Sequence, residues 1–168
     1  MAFYTEIAKG SSMSNLQSNL NDALGKYSGV TQVVDCGAGY GSSKSRGGVM
    51  LQASSNQDPG SDEVKVWAAA EKNLGDLGGK LNDDITEMTT IVSLSLDYDK
   101  NNNKWRALVV YLTTGTSVDY SVLAYTDGSK ENVKNEVDET VGASTSVAAF
   151  GYTYGNSNNG VLCIYVPS

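Results

Sequence analysis

The chain has 168 residues, 40% hydrophobic and 18% charged, a composition that supports one globular domain with a real core. A formal charge of −7, with 12 scattered basic residues, argues against a nucleic-acid partner and against simple electrostatic adsorption to anionic membranes. The absence of histidine removes Ser-His, Cys-His and zinc-hydrolase arrangements and leaves only carboxylate chemistry to an enzyme.

From the N-terminus, Phe3–Lys9 reads as a short strand. After Gly10, Met13, Leu16, Leu20 and Leu24 recur at helical spacing, with Ser12 as N-cap and Gly25 as stop. Residues 30–54 read as a glycine-rich hairpin. The polar stretch 54–61, with Pro59 and Gly60, breaks the pattern and is the best linker in the chain. Beyond it, Trp67, Ala70, Leu74, Leu77 and Leu81 predict one helix over residues 62–82, weakened by Gly75, Gly78 and Gly79 at roughly 1 kcal/mol each.

From Met88 the period changes to two. Val92, Leu94, Leu96 and Tyr98 alternate with polar residues, and a turn at Asn101–Asn103 leads into KWRALVVYLTT, which predicts a hairpin. TSVDYSVLAYT supplies another strand, residues 128–143 fit either a short helix on Val133, Val137 and Val141 or a loop, and TSVAAFGYTY with VLCIYVP forms a final hairpin. The expected class is α+β, β-rich: a sheet-dominated sandwich with two or three helices outside it. No run approaches the roughly 20 apolar residues of a spanning helix, so the chain reads as soluble, with secretion left open to a removed signal or an unconventional route.

The motifs that suggest chemistry each have a plainer account. VVDCGAGYG resembles the glycine loop of a methyltransferase, but a strand follows where a helix is needed, which favours a bent hairpin. Asp97, Asp99, Asn101 and Asn103 match four alternate EF-hand positions, yet Asn102 and Leu108 stand where Gly and Glu are required. Asp83, Asp84 and Glu87 sit at a helix end, where solvated acids are common. Cys36 and Cys163 permit a disulfide without requiring one; the plainer reading is two small buried hydrophobes. No catalytic, metal or cofactor site is therefore expected. The tyrosines at 111, 120, 125, 152, 154 and 165 fit either ordinary β packing or an aromatic surface for sugars or lipid headgroups.

Residues 105–167 carry a resemblance. Trp105, Ala107, Leu108, Tyr111, Gly115, Thr116 and Ser117, then Val147, Ala148, Ala149, Phe150, Tyr152, Gly160, Val161, Val166 and Pro167, are similar to the front half of the actinoporin family, the pore-forming cytolysins of sea anemones. Residues 1–55 resemble that family's C-terminal half and 62–168 its N-terminal half, joined through 56–61, which implies a single domain with a circularly permuted sandwich. The resemblance places a lipid- or glycan-binding surface at Thr114, Val147, Tyr165, Pro167 and Tyr152, and a membrane helix carrying Trp67, Leu74, Leu77 and Leu81. Both ends of that helix are attached to folded chain, so docking is expected over insertion. Two functions follow as expectations: a non-enzymatic protein binding membrane lipid headgroups or glycans, with pore formation left open, or a self-assembling structural protein that forms homo-oligomers through Tyr-rich strands.

Overall fold

The computed structural model describes residues 1–41 and 43–168. Its elements recur in one order, strand, helix, strand, strand. β1 (Ala2–Gly10), α1 (Met13–Leu24), β2 (Gln32–Gly41) and β3 (Lys44–Ala53) form a first unit. β4 (Val64–Glu71), α2 (Leu74–Asp84), β5 (Thr90–Asp99) and β6 (Lys104–Leu112) form a second. β7 (Ser121–Asp127), α3 (Lys130–Val141), β8 (Ser146–Gly155) and β9 (Asn158–Val166) form a third. The chain is thus β-rich α+β, built as three antiparallel three-stranded sheets and three α-helices among the described residues.

One expectation is corrected. Residues 62–82 are not a single helix: β4 occupies Val64–Glu71, and α2 begins only at Leu74. Val64 and Val66 are buried on one face of β4 and Trp67 on the other, and a strand buried on both faces loses its alternation. The Trp67, Ala70, Leu74 spacing therefore imitates a helix across a strand–helix junction. The undecided segment 128–143 contains α3, capped by Ser129, whose hydroxyl accepts from the Asn132 N–H. The 54–61 linker is tied down, with Asp58 and Ser61 N–H groups donating to Lys26 and Gly25 carbonyls at 3.0 Å.

The three units repeat in detail. Each sheet runs first strand, third strand, second strand, and each second strand carries a register shift near its start, at Val33/Asp35, Ile91/Ser93 and Val147/Ala149. Counting from those bulges equates Tyr40, Tyr98 and Tyr154, each placed opposite Ser45, Trp105 and Asn159 in turn. The helices match from their caps Ser12, Asn73 and Ser129, which aligns the buried Leu16, Leu77 and Val133.

Stacking of the units makes the core. The front face of each sheet carries its own helix, and the back face of the next sheet closes over both. The first core joins Leu16, Leu20 and Leu24 of α1 to Val66, Ala68, Leu108 and Val110 of the second unit. The second joins Leu77 and Leu81 of α2 to Leu162 and Ile164 of the third. In the third unit only Leu123, Val141 and Cys163 form a buried cluster, less than a quarter of the size of either of the other two cores.

Candidate interaction surfaces

The positions singled out by the resemblance separate into two groups. Val147 and Tyr165 are cross-strand partners in the third unit, where the Thr145 hydroxyl donates to the Pro167 carbonyl at 3.2 Å and the Tyr152 hydroxyl to Asn159 Oδ1 at 2.6 Å. Thr114 is exposed in the segment after β6. Of the expected membrane helix, Trp67 lies on β4, its indole N–H donating to Asp84 at 2.8 Å. Leu74, Leu77 and Leu81 are buried on α2 beneath the third unit. Among the described residues no helix is long and apolar enough to cross a membrane.

Beside its apolar core the first junction carries a buried polar cluster. Arg106 reaches back from β6, its guanidinium stacked on the Tyr40 ring at 4.2 Å, donating to Ser45 Oγ at 2.5 Å and to Asp99 Oδ2 at 2.6 Å. Both charges are buried. Burial alone would raise the Asp99 carboxyl, but the Asn102 amide, the Asn101 N–H and Arg106 outweigh it and hold the group below its ordinary value. Asp99 of the EF-hand-like run therefore braces a hairpin tip, and no cluster of metal-ligating side chains occurs among the described residues. Beside this pair opens a cleft of about 490 Å3, lined by Ser11, Ser12 and Ser14 at the start of α1, by Trp67, and by Lys80, Asp84 and Lys104. None of Thr114, Val147, Tyr152, Tyr165 and Pro167 lines it.

At the same junction α1 shields an open edge. Val66 N–H donates to Asn21 Oδ1 at 2.8 Å, Asn21 Nδ2 to the Val66 carbonyl at 3.1 Å, and Ala68 N–H to Gln17 Oε1 at 2.7 Å, so two side-chain amides replace a missing strand along β4.

The second junction is apolar and tight. Leu94, Leu96 and Tyr98 on the front of β5 pack into space left by Gly151 and Gly155 on β8, where a Cβ on Gly151 would stand 2.8 Å from that of Leu96 and one on Gly155 would enter the Tyr98 ring. Trp105 fills the hollow over Gly160 in the same way. Glycine is required at these positions by side-chain packing rather than by backbone conformation.

Both ends of the stack repeat one half of this junction. Phe150, Tyr152 and Tyr154 hold the register positions of Leu94, Leu96 and Tyr98 and are 53%, 51% and 59% exposed. Gly37 and Gly41 hold those of Gly151 and Gly155, and with Gly39 between them they face open space. Among the described residues nine large hydrophobic side chains are exposed: Met1, Phe3, Ile7, Val34 and Met50 in the first unit, Val147, Phe150, Tyr152 and Tyr154 in the third, and none in the second.

No protein-family model, curated protein or solved structure matches this chain.

Tyr152 and Val147 were singled out in the sequence as surface residues; Phe150 entered only through the resemblance and the glycines of β2 only as a bent hairpin, and Phe3, Ile7 and Arg106 were given no role. A signal for the repeat does exist, because Leu16-x-x-x-Leu20-Asn21-Asp22 recurs as Leu77-x-x-x-Leu81-Asn82-Asp83. Tyr40, Lys44 and Arg46 likewise recur as Tyr98, Lys104 and Arg106 around hairpin loops of different length.

Proposed function

We propose that this protein is a non-enzymatic, self-assembling structural protein whose interfaces are the two end faces of its three-unit stack. One observation carries the reading: every large exposed hydrophobic side chain belongs to the first or third unit, whose outer sheets lack the cover that the second unit has on both sides. An apolar surface concentrated in this way marks an interaction site, whereas isolated exposed hydrophobics need no explanation. Sedimentation velocity in lipid-free buffer over a broad dilution series is the test. The expected result is a mass that grows with concentration, and a constant monomer mass would end the reading.

A second reading is favoured by the cleft at the first junction, where the second junction is packed solid by Trp105 and Tyr98. Its volume falls in the range of small-ligand sites, and its serine hydroxyls, Asp84 and Lys104 suit a hydroxyl-rich group such as a sugar or a polar headgroup. The resemblance of residues 105–167 to actinoporins, with the permuted sandwich it implies, supports headgroup binding from the sequence side, although at a different surface. Titration of phosphocholine and of simple hexoses against amide chemical shifts separates the two. Shifts at Ser12, Asp84 and Lys104 support the cleft, shifts at Thr114, Val147 and Tyr165 support the expected actinoporin-like surface, and no shifts with either probe dismiss both.

A further inference from the structure

Resting on the reading of the end faces as self-association surfaces, we infer that the contact is head-to-tail and continues the internal stack: the front of the third unit in one copy docks on the back of the first unit in a second copy, in the register of the β5–β8 junction. The two faces are complementary halves of a junction the chain already contains. On β5, Leu94, Leu96 and Tyr98 form a ridge that enters the hollow of Gly151 and Gly155. On β8, Phe150, Tyr152 and Tyr154 form the same ridge with nothing over it, and on β2, Gly37, Gly39 and Gly41 form the same hollow with nothing in it. Ridge against ridge, or hollow against hollow, would leave the space that close packing must fill. A two-fold contact that pairs each face with itself is therefore disfavoured.

The helix and the charges agree. Gln17 and Asn21, five and nine residues past the cap of α1, cover the edge of β4; the same steps past Ser129 reach Lys134 and Asp138, which are exposed and paired with each other. Thr5 and Ile7 hold in β1 the register positions of Val66 and Ala68, on an edge strand of the first sheet. Asp138 can accept from the Thr5 N–H as Asn21 does from that of Val66, and Lys134, which only donates, can reach an edge carbonyl rather than the N–H that Gln17 serves on β4. The back of the first unit exposes Lys9, Lys44 and Arg46, none of them in a salt bridge among the described residues. In α3, Glu131, Glu136, Asp138 and Glu139 outnumber Lys130 and Lys134. A basic face thus meets an acidic one, and a contact repeated without two-fold symmetry generates a filament unless its rotation closes a ring.

Two variants at opposite ends test this. Phe150→Asp spoils the ridge, and Gly39→Arg fills the hollow at a position where an added Cβ has no neighbouring atom within 4 Å. Each variant alone is expected to sediment as a monomer, because each retains one working face that finds only spoiled counterparts. Mixed in equal amounts they are expected to form a dimer of one copy of each, twice the monomer mass and no larger. If the wild type self-associates but the mixture stays monomeric, or if either variant alone still grows, the head-to-tail contact is overturned while self-assembly stands. If the wild type is monomeric throughout, both fall.

Discussion

At the scale of single residues, the Arg106–Asp99 pair is the most consequential. Removing one member of a buried, hydrogen-bonded ion pair strands the other, so Arg106→Met is expected to cost about 3–5 kcal/mol in urea unfolding, whereas adding Asp99→Asn to it recovers a substantial part. Because the Asp99 carboxyl lies below its unfolded value of 3.8, its contribution is complete above that value and is lost as pH falls through the lower folded one. Glu6 adds to the same acid sensitivity. Its burial is outweighed by Lys26 and by the Tyr27 hydroxyl, which donates to it at 2.6 Å. Unfolding midpoints in urea, measured from pH 7 down to pH 2, should fall most steeply below about pH 4, and Asp99→Asn should flatten that fall. The two cysteines are unpaired. Burial pushes both thiols up to about 11, so at pH 8 a thiol reagent should label neither quickly in the folded protein and both in urea. The sequence favoured two buried thiols but permitted a disulfide, since pairing depends on the distance between two strands far apart in the chain.

At the scale of elements, neighbouring glycines of α2 separate packing from propensity. A Cβ on Gly78 would collide with that of Ala124 on β7, while one on Gly79 meets nothing. Gly78→Ala should therefore destabilise by about 1–3 kcal/mol, from forced separation of helix and strand. Gly79→Ala should stabilise by up to about 1 kcal/mol. Opposite signs in denaturant unfolding are the check. Asn21→Ala, which strips Val66 of both its edge partners, should cost about 1–3 kcal/mol by the same measurement. Most elements were legible in the sequence because their patterns are local. The capped α1, the hairpins ending at Asp99/Lys104 and Gly155/Asn158, and the break in pattern after Ala53 all follow from spacing and turn residues, whereas the tethering of that break to Gly25 and Lys26 does not. The failure at 62–82 is equally physical. β4 is covered by α1 on its edge and back and by α2 on its front, and burial from both sides erases the period of two on which the reading relies.

At the scale of the whole molecule, self-association through oppositely charged faces should weaken as salt screens the basic back of the first unit, although the aromatic ridge keeps an apolar contribution that salt does not remove. Mass distributions at low and high ionic strength test this, with shorter assemblies expected at high salt. The end faces were poorly legible because exposure is a property of the stack. Phe150 and Leu94 occupy equivalent positions on similar strands, and only the arrival of a neighbouring sheet buries one and leaves the other in water. The repeat itself was hidden by divergence: Trp105, Ser45 and Asn159 share one place in three units yet share no chemistry. That divergence matters during folding. Three similar modules joined in a row could dock out of order or trade places between chains. If the third unit occupied the second's place against the first, Tyr40 and Ser45 would meet Gly155 and Gly160 in place of Asp99 and Arg106, leaving a void where aromatic and guanidinium planes now touch. The buried charge pair thereby acts as an address: it makes one order of modules tight and the wrong order hollow, so a stack built from near-copies assembles in a single sequence.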